Sequence, residues 1–170
     1  MTNGHPIKLR AMEPEDLDLL YMIENDPQLW DVGTTNVPYS RYLLHDYIAS
    51  CSGDIYTDLQ VRLIVENEEG ETVGLVDLMN FDARNCRAEV GIVIARQHRQ
   101  RGYARQTLVH IANYARKTLH LHQLYAIIDT TNLTALQLFT NAGYSPSSQL
   151  TDWLYDGKEY RHAMLMQFFL

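Results

Sequence analysis

The sequence predicts an α/β protein, with a mixed central β-sheet of about six or seven strands flanked by about four helices. Three patterns carry that reading. Alternating apolar and polar residues in "LQVRLIVENEEGETVGLVDLMNF" indicate half-buried strands joined by a turn at "NEEG". The nearly continuous apolar run "AEVGIVIA" indicates a strand buried on both faces. From Tyr103 the spacing changes, and Ala104, Leu108, Ile111, Ala112, Ala115 and Leu119 recur as one stripe of a long helix.

The remaining elements follow in order. "IKLRAM" alternates Ile7 and Leu9 with polar residues and reads as the first strand. "EPEDLDLLYMIEN" supplies Pro14 near a helix start, acidic residues in the first turn, and Leu17, Leu20 and Tyr21 on one face. Residues 31–58 form the least regular stretch, predicted as a loop, a helix around Tyr39 to Ser50, and a second loop around Gly53. After the long helix, "QLYAIID" is a strand, and "NLTALQLFTNAGY" is a short helix capped by Asn132 and stopped by Gly143. The chain ends in a hairpin, "QLTDWLYDGKEYRHAMLMQFF", turning at Asp156-Gly157. No internal repeat, low-complexity tract or linker interrupts the pattern, so residues 1–170 are expected to form one domain.

Composition narrows the function classes. A chain of 170 residues with 46% hydrophobic content can bury a sizeable core without disulfides or a structural metal. Cys51 and Cys86 form no C-x-x-C pair, and "MTNGHPIKLR" lacks a signal-peptide core, so a reduced, cytoplasmic setting is expected. No stretch approaches the length of a membrane span, and no Cys/His group has zinc-site spacing. The formal net charge of -7 argues against a nucleic-acid partner, because phosphate contacts need a broad basic surface.

Against that acidic background, "RQHRQRGYAR", residues 96–105, gathers four arginines and a histidine. The buried strand "GIVIA" leads through this run into the long helix, whose first N–H groups have no intrahelical partner and carry the positive end of the dipole. Gly102 lets the main chain approach an anion without a Cβ in the way, and arginines add charge-assisted hydrogen bonds. The run is neither a Walker A loop nor a G-x-G-x-x-G fingerprint. It suits one small anionic ligand held at one place.

Arg99-Gln100-Arg101-Gly102-Tyr103-Ala104 resembles the Q/R-x-x-G-x-G/A pyrophosphate signature of the GNAT N-acetyltransferases, which use acetyl-CoA. Asn132, Ala135, Leu138, Phe139, Gly143 and Tyr144 resemble that family's second signature, and the likeness spans nearly the whole chain. Within the family, "GLVDL", "AEVGIVIA", "GYAR", "LHLHQLYA" and "DGKEYRHAMLM" are similar to the bacterial spermidine/diamine acetyltransferase group and the related ribosomal-protein N-terminal acetyltransferases.

The resemblance implies acetyl-CoA as cosubstrate, a primary amine as acceptor, and no metal. Arg99, Gln100, Arg101, Gly102, Tyr103, Ala104 and Arg105 would hold the pyrophosphate. The backbone of Ile92, Val93 and Ile94 would pair with the pantetheine arm, with Asn132, Leu138 and Phe139 nearby. Glu89 is the expected base, set against an ordinary strand-end carboxylate paired with Arg84 or Arg87. Many members carry a tyrosine as proton donor where this chain has Phe139, which leaves Tyr144, another tyrosine or water. Glu24, Asp31 and Asp77 are candidate acidic walls for a polycation, although Thr35, Asn36 and Val37 stand where the spermidine enzymes have an acidic pair before Pro-Tyr. Three functions follow: acetylation of a small polyamine-like amine, acetylation of a protein N-terminus or lysine, or a non-catalytic acyl-CoA sensor. The resemblance also implies homo-oligomers.

Overall fold

A computed structural model describes residues 6–30 and 37–170. One seven-stranded mixed sheet runs through the protein, ordered β1-β2-β3-β4-β5-β7-β6, built from β1 Ile7–Arg10, β2 Val61–Asn67, β3 Thr72–Asp82, β4 Arg87–Ile94, β5 Gln123–Asp129, β6 Ser145–Tyr155 and β7 Tyr160–Phe169. Neighbours pair antiparallel except β4 with β5. The helices are α1 Leu17–Glu24, α2 Pro27–Trp30, α3 Arg41–Ser50, α4 Ile55–Asp58, α5 Tyr103–Lys117 and α6 Leu133–Asn141.

Among the described residues there are six helices, against about four expected. α2 and α4 are single turns, too short to show helical periodicity in sequence. Pro14–Asp16 is a 3-10 turn rather than the first turn of α1. The buried face of α1 is Leu19, Leu20 and Ile23, with Leu17 half-buried against the same cluster; of the expected Leu17, Leu20 and Tyr21, only Tyr21 lies off it. Tyr21 instead lies on the surface beneath the Arg41 guanidinium, 4.3 Å from its ring centre. The turn before α1 is fastened to the sheet by Arg10, which donates to both Asp16 carboxylate oxygens (2.8 and 2.9 Å) and to Glu66 (2.6 Å).

The two sheet faces bury separate clusters. On one, α5 packs Leu108, Ile111 and Ala115 against Val76, Leu78, Val90, Ile94, Leu124 and Ala126, with Phe139 of α6 beside them. On the other, α1 and α3 pack Leu20, Ile23 and Leu44 against Ile64, Leu75 and Ala95. The split follows from strand alternation, since residues two apart share a face.

Each expected hairpin is present. Asn67 Oδ1 accepts the Glu69 and Glu71 amides at the first turn, and Asp156 Oδ1 accepts the Lys158 and Glu159 amides at the last. β6 is the outer strand and is largely exposed along its length. Its pairing with β7 shifts register between Pro146 and Ser148 and again between Leu150 and Leu154, and Asp152 takes a φ of 49° inside the second break.

β3 and β4 approach most closely at Gly74. A Cβ there would sit 2.2 Å from the Val93 carbonyl oxygen and 3.0 Å from the Ile94 Cα, both backbone atoms that cannot yield without moving the strand. Gly74→Ala is therefore expected to cost about 2–3 kcal/mol of unfolding free energy, read from urea denaturation.

Candidate active site

β4 and β5 part company halfway along. Their parallel pairing covers only Arg87–Glu89 against Gln123–Tyr125, whereas β4 continues to Ile94 and β5 to Asp129. Beyond Glu89 the strands separate and leave one edge of β4 open. β3 serves the other edge, where Ala95 donates its amide to Val73. Alternation then turns the backbone groups of Val93 and Gly91 toward β3, and those of Ile94, Ile92 and Val90 toward the opening. This corrects the expectation for Val93, whose backbone is committed to β3.

The basic run closes the wide end of the opening. Arg99 folds back and donates Nε–H to the Ile94 carbonyl at 2.9 Å. Arg96 reaches across to Asp26 after α1, with Nη2 3.1 and 3.0 Å from the two carboxylate oxygens. All four arginines are exposed, two of them, Arg96 and Arg99, held by these bonds. Gly102 caps α5 with a φ of 83°, and nothing lies within 4 Å of the position a Cβ would take. A left-handed, unobstructed cap fits an anion approaching the first amides of α5, and Ala104 adds little bulk two residues on. Gln100 also has positive φ, and Tyr103 is buried with its ring edge-on to His98.

On the face covered by α1 and α3, a cavity of about 540 Å³ opens beside the divergence. Glu89, Asp77, Glu24, Arg62 and Tyr47 line it, together with Ile127 of β5. Glu89 is half-buried and accepts one hydrogen bond, from Asn80 Nδ2 at 2.8 Å. Burial pushes its carboxyl above the ordinary range, and the Asn80 bond only partly offsets this. Arg87 pairs with Asp82 at 3.1 Å, and Arg84 makes no ion pair with Glu89 among the described residues. The strand-end ion pair set against a functional Glu89 is therefore absent there.

Asn80 and Tyr125 were not singled out in the sequence. Asn80 sits in a register break of β3 with a φ of 50°, a conformation asparagine tolerates better than most residues. Tyr125 is the β5 residue opposite Glu89 in the last pair before the opening. Burial raises its phenol pKa first, and the Glu89 charge adds to the rise.

The acidic wall is more neutral than expected. Arg62 donates Nε and Nη2 to the two Asp77 oxygens (2.6 and 2.9 Å) and Nη1 to Glu24 (2.6 Å). Its guanidinium stands 5.6 Å from the Tyr47 ring centre. Burial opposes the Arg62 charge, but Asp77 and Glu24 outweigh it and the guanidinium stays ionised. Burial also pushes the Tyr47 phenol up to about 12. Asp31 lies outside the described residues, as do Thr35 and Asn36. Tyr39, just after them, is clasped to α1 by Asn25, whose side-chain amide pairs with the Tyr39 backbone in both directions (2.7 and 3.0 Å).

The second signature lies on the α5 side. Asn132 caps α6 by accepting the Ala135 amide at 3.1 Å. Leu138 packs against the core and Phe139 is buried in it. Tyr144 corrects the expectation of a proton donor. It is 2% exposed, between Phe139 and Phe168 with ring centres 5.0 and 5.1 Å away, and its enclosed hydroxyl has no hydrogen-bond partner among the described residues. Burial drives its pKa up, and the hydroxyl has no access to a departing group in the opening.

Residues 7–145 match the family model of the acetyltransferase (GNAT) domain. The chain is 28% identical over 170 residues to the spermidine N(1)-acetyltransferase of Escherichia coli (strain K12), covering 99% of this chain and 89% of that protein. Its fold is similar to the crystal structure of spermidine N-acetyltransferase from Vibrio cholerae in complex with CoA and spermine, with a TM-score of 0.85 and 24% identity over 96% of this chain and 95% of that one. A dodecameric structure of the Vibrio cholerae enzyme gives a TM-score of 0.78 at 24% identity, covering 96% and 93% of the two chains.

An unpartnered buried hydroxyl costs stability without return. Tyr144→Phe is expected to raise the unfolding free energy by about 1 kcal/mol in urea denaturation, whereas a hydroxyl with a hidden partner would give a loss.

Proposed function

The chain belongs to the GNAT family of acetyltransferases, and from that membership we propose that it transfers the acetyl group of acetyl-CoA to a primary amine of a small, polyamine-like acceptor. The observation that carries the reading is the opening between β4 and β5, with the half-buried Glu89 at its apex and a cavity on the α1/α3 face lined by Asp77, Glu24 and Arg62. The spermidine acetyltransferases described above support the acceptor class.

Three features of this chain fit coenzyme A. The open edge of β4 offers the backbone groups of Ile92 and the Ile94 amide to an extended amide-bearing arm, in the manner of an added strand. Gly102 and Ala104 leave the first amides of α5 clear for a pyrophosphate, with Arg101 and Arg105 exposed nearby. Arg99, held on the Ile94 carbonyl, fixes the path of the loop between these two places. Acetyl-CoA supplies the activated acetyl group as a thioester.

The acceptor must lose a proton before its nitrogen can attack, since an alkylamine near pKa 10 is mostly charged at neutral pH. Glu89 is the group placed to take it, directly or through one water. Lifted by burial, Glu89 is a stronger base than an exposed carboxylate, and no cation among the described residues competes for it. An amide on the open edge of β4 would steady the developing negative charge on the carbonyl oxygen. Phe139 has no proton to give, and Tyr144 is enclosed, so neither completes the cycle as an acid. We further propose a homo-oligomer, supported by the dodecameric relative and by Trp153, Tyr155 and Tyr160 exposed at the outer hairpin.

Purified protein with acetyl-CoA and a panel of polyamines, amino acids and short peptides, read by mass spectrometry, is expected to yield an acetylated polyamine or diamine. Acetylation of peptides alone would overturn the small-amine reading. Glu89→Gln is expected to lower kcat about a hundredfold or more. Because Glu89 acts deprotonated and its pKa is raised, the wild-type acidic limb of kcat/KM should lie above the ordinary carboxylate value of about 4.3, and the variant should lose it.

A further inference from the structure

Four side-chain positions form a patterned floor beneath the acceptor cavity. Arg62 on β2 stands opposite Asp77 on β3, and Asp77 stands opposite Gly91 on β4. Glu89 lies two residues before Gly91, on the same face. Gly91 carries no side chain between the base and the Arg62–Asp77 pair, and Met79 Cε lies over it, within 2.6 Å of where a Cβ would stand. The cavity thus gives an amine reacting beside Glu89 a track past the Met79 methyl toward Asp77 and Glu24. With strands 4.7–4.9 Å apart, that track is roughly 5–10 Å long, the span of a four- or five-carbon chain bearing a nitrogen at each end.

The charges along the track are counted from the cavity lining. Among the described residues, Glu24, Asp77, Glu89 and Arg62 are the charged groups there. Glu89 is taken up with the reacting amine. At the far end, two carboxylates against one guanidinium leave a single negative charge, and all three groups are locked by hydrogen bonds of 2.6–2.9 Å. The side chains of Arg62, Glu24 and Asp77 are only 19%, 20% and 15% exposed, so water screens this charge weakly.

Resting on the amine-acetyltransferase reading, we propose that Arg62 is a specificity-determining residue. By cancelling one of the two far-end carboxylate charges, it fits the cavity to an acceptor with one positive charge beyond the reacting nitrogen, a short diamine. Longer polyamines bring a second or third ammonium toward a half-buried guanidinium, and that repulsion discriminates against them.

The test compares a four-carbon monoamine, the matching diamine, a triamine and a tetraamine as acceptors with acetyl-CoA at low ionic strength. Wild-type kcat/KM is expected to be highest for the diamine. In Arg62→Gln the tetraamine-to-diamine ratio of kcat/KM should rise about tenfold or more, chiefly through KM, and R62Q/D77N should return it toward the wild-type ratio. A folded R62Q with an unchanged ratio overturns the proposal. Where circular dichroism shows R62Q unfolded, Asp77→Asn decides. It should erase the diamine-over-monoamine preference, and a retained preference overturns the proposal. A wild-type enzyme that acetylates none of the four amines overturns the amine reading and this inference together. Acetylation with unaltered charge preference in the variants removes only the inference.

Discussion

The early end of the β4–β5 ladder governs the architecture of the site. Two parallel strands that pair at Arg87–Glu89 and then diverge leave backbone donors and acceptors without partners, an arrangement that ordinarily costs stability. It persists because each strand is held from its other side. β3 pairs with β4 as far as Ile94, and β7 pairs with the whole of β5. Arg99 satisfies the Ile94 carbonyl at the mouth. The opening is thus a gap braced from both sides. The candidate site is arranged around it: Glu89 and Tyr125 at the apex, the cap of α5 at the mouth, the cavity lined by Asp77 and Glu24 on one face and α6 on the other.

Charge is distributed to suit that gap. The half-buried carboxylates elsewhere are answered by arginine, Asp16 by Arg10, Asp26 by Arg96 and Asp129 by Arg161. The balance holds each of them below the ordinary range. For Asp16 and Asp129 burial is the largest influence and acts upward, but hydrogen bonds and the arginines outweigh it, whereas for Asp26 the Gln28 amide leads. Glu89 receives only a neutral amide, and its pKa moves the other way. Two populations of carboxylate result, one locked as anions by arginine and hydrogen bonds and one, at Glu89, left more basic by burial.

Elements with long periodicity were legible in the sequence. The α5 stripe, the two hairpin turns and the Asn132 cap depend on residues within a few positions of one another. Gly102 and the arginine run were legible as a local motif, whereas Glu89, Glu24 and Asp77, which line one cavity, were reached through the family resemblance. What escaped depends on contacts across the sheet. Arg62 lies 38 residues from Glu24 and 15 from Asp77, so no spacing rule announces that it pairs with both. Tyr144 looks like any tyrosine after a helix until Phe139 and Phe168 enclose it. The side of β4 that Val93 turns to β3 is fixed by register, and the Asn80 bulge by a backbone irregularity, neither of which hydrophobic alternation encodes.

The broken outer strand has a consequence of its own. An eleven-residue edge with regular spacing would be a template on which another chain could add a continuous ladder. Two register breaks and the left-handed Asp152 divide β6 into short stretches whose free groups no longer point in step. A foreign strand can find only a few consecutive partners there. The protein can therefore display Trp153 and Tyr155 to another surface without offering the uninterrupted backbone that seeds fibrous aggregation, and recognition at this edge is left to side chains.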